Sequence, residues 1–255
     1  MPRWLRCEYQ GRTRIGTLEG DQVTFYEGDL FNSPRPTQEK APLSAVQLMT
    51  PTEPSKMVAL WNNSKTNAAK LKLATPPEPL YFIKVPSSFA PGGVLIRRPR
   101  SFDGKVIFEG ELGIVIGKRC KEVSESQAPQ HIFGYTCIND VGAFEIIGKD
   151  ASFAQWCRAK NFDTFTIIGP VVATGLDPAK LVIKTHLDGT ERQNYPSTDL
   201  FFEPARLVSL ISQDMALLPG DVIACGTSVG AGSMKPGARI EITIDGIGTL
   251  SNTME

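Results

Sequence analysis

Histidine is close to absent from this chain, with His131 and His186 the two copies in 255 residues, and that scarcity removes much of hydrolytic chemistry at once. A Ser-His-Asp or Cys-His arrangement needs an imidazole beside its nucleophile. His131 falls where a helix end passes into a strand, and His186 lies on the run Leu181 to Leu187 just before an Asp188-Gly189 turn. Both places suit a structural or exposed residue. The five cysteines, Cys7, Cys120, Cys137, Cys157 and Cys225, are odd in number and form no C-x-x-C pair. Neither a disulfide framework nor a zinc site is implied, and the thiols read as reduced and mostly buried. Cys225, beside Gly226-Thr227, is placed to line a pocket, but it lacks a nearby base.

Net charge is missing too, since 27 Lys+Arg balance 27 Asp+Glu. No clustered positive charge offers a footprint for nucleic acid or an anionic membrane. Neutrality gives little protection against self-association, which agrees with a natural oligomer. No stretch approaches the roughly 18 apolar residues of a spanning helix, and Met1 to Cys7 has no continuous apolar core of a signal peptide. A cytoplasmic enzyme is the expectation. A 41% apolar fraction is ordinary for a globular chain of this length.

Against these absences stands Phe108-Glu109-Gly110-Glu111-Leu112-Gly113-Ile114-Val115-Ile116-Gly117-Lys118. With the two-residue period of a strand, Glu109 and Glu111 share one face while the aliphatic run continues into a buried strand. Two carboxylates side by side repel and raise each other's pKa unless a cation lies between them, so a divalent metal is the economical explanation. The competing explanation is an edge strand with two solvated glutamates.

Three regions separate along the chain. Residues 1–50 open with alternating runs, Leu5 to Tyr9, Thr13 to Leu18 and Val23 to Tyr26, broken by Gly11, Gly16 and Gly20, and read as a small β-meander. Polar, Pro-bearing Asn32 to Leu43 reads as a loop or linker. Thr50-Pro51-Thr52-Glu53-Pro54-Ser55 leads into the main body, residues 55–255, with a short strand from Met57 to Trp61. Ser64 to Leu73 reads as a short helix with Asn63 or Ser64 as N-cap and Pro76-Pro77 as its stop.

The acidic strand is followed by Gly134-Tyr135-Thr136, Asn139-Asp140-Val141, Ala159-Lys160-Asn161-Phe162-Asp163 and Ile168-Gly169-Pro170. Farther on come Leu218-Pro219-Gly220-Asp221, Gly226-Thr227 and Ile247-Gly248-Thr249-Leu250. In this order over residues 55–252 the chain resembles the fumarylacetoacetate hydrolase family, in particular its bacterial 2-hydroxyhepta-2,4-diene-1,7-dioate isomerase/decarboxylase-like members. The resemblance implies a β-rich α+β fold, a mixed β-roll or β-sandwich with few short helices and a small N-terminal β domain, and a homodimer. Numerous short strands with frequent Gly and Pro agree independently with a β-rich fold. It also implies metal ligands Glu109, Glu111 and Asp140, a catalytic Lys160, and substrate contacts from Thr227, Gly226 and Lys84. Three hard oxygen donors with open positions suit Mg²⁺ or Mn²⁺, with Ca²⁺ admitted by the same donors. Thr198-Asp199 resembles a family loop, and here Asp199 is placed to cap the helix from Pro204 to Ser212.

Two departures accompany the match. Where the family's lid helix holds a His and, three residues on, a Glu that activate water, Asn67 and Lys70 stand instead. An amide does not titrate, and a solvated lysine is protonated at neutral pH. Where relatives place an Arg and a Gln after Asn-Asp-Val, this chain has Gly142, Phe144 and Ile147 around Glu145. The expected function is a divalent-metal-dependent enzyme acting on a small 2-oxo or enolic carboxylic acid. C–C bond hydrolysis comes first by resemblance, followed by keto-enol isomerisation or decarboxylation through the same stabilised enolate. A non-catalytic 2-oxo-acid-binding relative is the rival from another class.

Overall fold

The computed structural model describes all of residues 1–255. The N-terminal alternation folds as a meander of strands Arg3–Tyr9, Arg12–Glu19 and Gln22–Asp29. Its first turn is the two-residue loop Gln10-Gly11, both at positive φ, the geometry that matches strand twist. Asn32 to Leu43, expected as a loop, is instead the strand Asn32–Pro42. It lies outermost in its sheet and hydrogen-bonds one neighbour only, with register shifts along the pair. An edge strand needs donors on one side, which is why Pro34, Pro36 and Pro42 are tolerated there.

The meander continues into the body: Arg3 and Trp4 pair with Ala173 and Val172 of strand Thr166–Ala173. From there one twelve-stranded sheet runs through Ile132–Asp140, Gly110–Ile116, Val222–Ala224, Met57–Trp61 and Leu80–Lys84. The acidic strand Gly110–Ile116 is therefore central, paired on both sides, and every one of its residues is buried. That removes the edge-strand explanation for its glutamates. One face of the sheet packs Leu112, Ile114 and Ile116 against Ile183, Ile240, Ile242 and Leu250 of a five-stranded sheet. The opposite face carries a smaller cluster that includes Val115, Ile138, Val222 and Phe82. Truncating Leu112 to Ala in the larger core should cost ~2–5 kcal/mol.

Three short helices complete the chain. α1, Lys65–Leu71, starts at Ser64, whose hydroxyl accepts from the Asn67 N–H, and ends with Lys72 in the left-handed conformation. It stops before the Pro76-Pro77 pair that the sequence pattern suggested. α2 is Trp156–Lys160 and α3 is Pro204–Asp214. No helix is long and apolar enough to cross a membrane. The isolated thiols are as expected: all five cysteines are free and only Cys157 is exposed.

Candidate metal centre

The sheet register itself assembles the acidic cluster. Gly110 pairs with Asn139, which sets Glu109 opposite Asp140, and the Asp140 N–H donates to the Glu109 carbonyl at 2.9 Å. With the two-residue period, Glu111 joins them on the same face. Carboxylate oxygens of Glu109, Glu111 and Asp140 all lie within 4.8 Å of one another, and all three residues are buried. Gly110 between them is obligatory, because a Cβ there would sit 2.1 Å from the Thr185 hydroxyl.

Two buried ammonium groups face the cluster. Lys160, the last residue of α2, pairs with Glu109 and with Asp140 at 2.9 Å. Lys84, at the end of its strand, pairs with Asp140 and donates to the Phe165 carbonyl at 2.7 Å. Lys160 is thus a core residue rather than the exposed lysine that a helix end suggests. Lys84, expected to contact substrate, is sealed beneath Asp140 and is not among the residues lining the cleft.

Charge does not balance. Two ammonium groups against three carboxylates leave one negative charge over, and it falls on Glu111, which forms no ion pair and accepts one hydrogen bond, from the Gly226 N–H at 2.7 Å. Burial, reinforced by Asp140 and Glu109, pushes the Glu111 carboxyl well above its ordinary value. Burial raises Glu109 as well, with Lys160 offsetting part of that. For Asp140 burial acts upward too, but Lys160 and Lys84 outweigh it and hold the carboxyl low. Burial lowers Lys84 to about 8, while for Lys160 the flanking carboxylates overcome burial and raise it. A buried, unpaired carboxylate converging with two others fits a hard divalent cation, whose charge would reverse the imbalance.

The Gly226-Thr227 turn closes one side. Gly226, at φ 91°, lets the backbone reach Glu111. The Thr227 hydroxyl donates to the Gly110 carbonyl at 3.0 Å and accepts from the Gln193 amide at 2.7 Å, so its single proton is already engaged. Gln193 also accepts from the Gly110 N–H at 3.0 Å, and the Tyr195 hydroxyl donates to the Gly110 carbonyl at 2.8 Å. Sequence reasoning missed Gln193 and Tyr195, because a hairpin some 80 residues away carries no local mark of the peptide it holds. Cys225 sits next to this turn, but burial raises its thiol well above the ordinary value, which disqualifies it as a nucleophile.

A narrow cleft reaches the cluster at Glu109 and Lys160 and is lined also by Thr227, Trp61, Phe82 and Trp156, with Asn67 of α1 on its roof, while Glu111 and Asp140 lie behind its lining. Lys70 is exposed on α1, outside the lining. Asp199 does not cap α3, whose first turn has no side-chain cap. It instead accepts from the Thr66 N–H and hydroxyl at 3.0 and 2.6 Å and from the Ser64 and Ser228 hydroxyls, tying the start of α1 to the Thr227 turn. Phe144 lies with its ring 4.7 Å from the Lys160 ammonium, against Gly142, where a Cβ would be 2.5 Å from that ring. Glu145 is exposed and holds the Lys105 N–H, away from the cleft. A large cavity of about 1050 Å³, rimmed by Arg97, Arg98 and Arg100, includes none of the three carboxylates.

Residues 56–255 match the family model for the fumarylacetoacetate hydrolase C-terminal domain. The chain belongs to the fumarylacetoacetate hydrolase family. Residues 3–51 match a second model, the Rv2993c-like N-terminal region. Among family members, protein Rv2993c of Mycobacterium tuberculosis is 39% identical over 225 residues, 87% of this chain and 83% of that protein. The Bacillus subtilis oxaloacetate tautomerase YisK is 33% identical over 224 residues, 82% of this chain and 73% of that protein. The crystal structure of a 2-hydroxyhepta-2,4-diene-1,7-dioate isomerase from Mycobacterium marinum superposes with a TM-score of 0.91 at 35% identity, covering 100% of this chain and 98% of that one. A maleylpyruvate hydrolase from Sphingobium sp. SYK-6, solved with manganese(II) and pyruvate, superposes with a TM-score of 0.80 at 25% identity, covering 99% and 98%. Family membership bears out the β-rich fold. The family holds hydrolases, isomerases, decarboxylases and a tautomerase, so it leaves the reaction open.

Proposed function

We propose that this chain is a divalent-metal-dependent enzyme that interconverts the keto and enol forms of a small 2-oxo carboxylic acid. The observation that carries the choice of reaction is Asn67: the roof of the cleft above Glu109 and Lys160 offers an amide, and neither a histidine nor a carboxylate comes from α1. Hydrolysis of a C–C bond needs a base that activates water, a contribution of typically ~10²- to 10⁴-fold, whereas enolisation needs stabilised charge on one oxygen. Isomerisation therefore ranks ahead of C–C hydrolysis, and decarboxylation draws on the same charge stabilisation.

Glu109, Glu111 and Asp140 would hold Mg²⁺ or Mn²⁺. When bound, the ion supplies a Lewis acid that lowers the energy of negative charge at the substrate's 2-oxygen. Lys84, beneath Asp140, and Lys160, beside Glu109, hold Asp140 ionised and aim both carboxylates. Lys160 also lines the cleft, but its three N–H bonds are given to Glu109 and to the Asp140 carboxylate and carbonyl, so it acts on a developing oxyanion through its charge. Thr227, on the turn that Gly226 shapes, lines the wall facing the carboxylate end, where its hydroxyl turns from the Gly110 carbonyl to donate to the substrate, and Asn67 orients the enol oxygen from above. The chain acts in the cytoplasm as a homodimer; light scattering on the purified protein tests the second statement.

The test follows the enol absorbance of oxaloacetate with protein and Mg²⁺ or Mn²⁺, with and without chelator. Metal-dependent acceleration of ketonisation that disappears in Glu111→Gln is the expected result. Equal rates with and without metal, or no acceleration of any 2-oxo acid, would overturn the assignment.

A further inference from the structure

On one side, the peptide between the two glutamate ligands is held by side chains instead of a strand. The Asp140 N–H donates to the Glu109 carbonyl, so one residue on, the N–H and carbonyl of Gly110 point away from strand Ile132–Asp140. The strand on that other side, Val222–Ala224, pairs with Gly113 to Val115 and falls short of Gly110. Side chains take over where the ladder stops. Gln193 Oε1 accepts from the Gly110 N–H at 3.0 Å, and the Gly110 carbonyl receives two donors, the Tyr195 hydroxyl at 2.8 Å and the Thr227 hydroxyl at 3.0 Å. The Tyr195 hydroxyl lies farther, 3.4 Å, from the Gly226 carbonyl. Gln193 and Tyr195 belong to one strand, Thr190–Pro196, and are buried, whereas Thr227 lines the cleft.

The direction of each bond follows from its partners. An amide whose oxygen meets an N–H must turn its NH₂ elsewhere, and Gln193 Nε2 donates to the Thr227 hydroxyl oxygen at 2.7 Å and to the Ser228 carbonyl at 3.1 Å. Toward Gln193, Thr227 is therefore an acceptor. Its one proton is left for an acceptor of its own, here the Gly110 carbonyl. That proton swings about the Cβ–Oγ bond without any change of rotamer. When it does, Tyr195 still donates to the Gly110 carbonyl, whereas without Tyr195 the swing would strand a buried acceptor, which costs the full desolvation of that group.

We infer that Gln193 and Tyr195 are positioning residues that make Thr227 a directed and releasable donor to the substrate carboxylate: Gln193 fixes which side of the hydroxyl accepts, and Tyr195 keeps the Gly110 carbonyl satisfied when Thr227 lets go. This rests on the reading of Thr227 as the residue facing the carboxylate end and adds how its proton is freed. Both residues act through Thr227.

A double-mutant cycle on pyruvate binding tests it, with the Mn²⁺-loaded protein titrated by calorimetry and Mn²⁺ affinity measured on the same variants. Thr227→Val should weaken pyruvate about tenfold, the scale of one hydrogen bond to a charged group. Tyr195→Phe should weaken it about fivefold in the wild-type background and leave it unchanged on the Thr227→Val background, because its effect runs through that hydroxyl. Thr227→Ser, which keeps the hydroxyl, should bind pyruvate like wild type, and Mn²⁺ affinity should be unchanged in all three. A merely structural role gives another pattern, an equal loss on both backgrounds that Mn²⁺ affinity shares. That additivity, or a Tyr195→Phe protein that binds pyruvate as wild type does, would overturn the inference and leave the metal centre standing. Should Tyr195→Phe fail to fold by circular dichroism, Gln193→Met runs the same cycle: a loss that shrinks on the Thr227→Val background is expected, and an equal loss overturns the inference. No pyruvate binding by Mn²⁺-loaded wild type would sink the reading of the carboxylate end itself, and this inference with it.

Discussion

The floor and the roof of the cleft were built under different constraints. The floor is a pair of central strands, in which Glu109, Glu111 and Asp140 are placed by hydrogen-bond register, and each is locked by buried partners. The roof consists of the seven-residue α1 and the five-residue α2 with its preceding turns, and there Asn67 and Trp156 line the cleft while Phe144 packs on the Lys160 ammonium. Moving a floor residue disturbs strands on both sides of it. Moving a roof residue disturbs one turn of helix. The floor thus fixes what charge can be stabilised, and the roof is free to decide which substrate and which proton or water are presented to it.

Removing a floor ligand should have the largest effect. Glu111→Ala leaves two carboxylates already paired with lysines and is expected to lower turnover by ~10³-fold or more, ~4 kcal/mol of transition-state stabilisation. The fold should persist by circular dichroism, since an unpaired buried charge is lost; activity within tenfold of wild type would show that the floor does not carry the chemistry. Lys160→Met comes next, because it strands Glu109 and half of Asp140. Breaking a buried pair costs ~3–5 kcal/mol, so the metal-free variant should melt well below wild type, and a divalent cation should recover part of the difference. A Tm indifferent to the cation would contradict the shared role of lysine and metal in balancing this charge.

On the roof, Asn67→His with Lys70→Glu should raise acylpyruvate hydrolysis about tenfold while changing oxaloacetate tautomerisation little. Loss of both reactions together would mean that α1 supports the floor and does not merely cover it. The smallest effect belongs to the tether of α1. Burial works to raise Asp199, but the hydrogen bonds from Ser64, Thr66 and Ser228 prevail and hold its carboxyl below the ordinary value. A depressed carboxyl contributes stability that is present above the ordinary value and is lost as pH falls through the folded one. The Tm gap between wild type and Asp199→Asn should therefore be constant near neutrality and narrow below about pH 4. A gap that widens in acid would assign the tether to other groups.

The floor was legible in the sequence, and the roof only in part. A Glu-x-Glu with an aliphatic run behind it states its own periodicity, and the Asn139-Asp140 and Lys160 motifs follow in order, so the cluster could be named by residue. Its balance could not, because Lys84 and Lys160 look like ordinary lysines until the sheet buries them. Asn32–Pro42 was obscured by prolines that an edge strand tolerates. Asp199 was assigned to the nearest helix in sequence, α3, although its hydroxyl partners lie on α1 about 135 residues away. The aromatic wall of the cleft left no trace, since Trp61, Phe82 and Trp156 come from three separate elements and share no spacing.

The most direct test of the central claim is a calorimetric titration of the metal-stripped protein with Mn²⁺, run beside Glu111→Gln. One divalent ion bound per chain by wild type, and none by the variant at millimolar concentration, is the result predicted from the unpaired Glu111 carboxylate. Binding that the variant retains unchanged, or no binding by wild type at all, would contradict the assignment of Glu109, Glu111 and Asp140 as a metal centre.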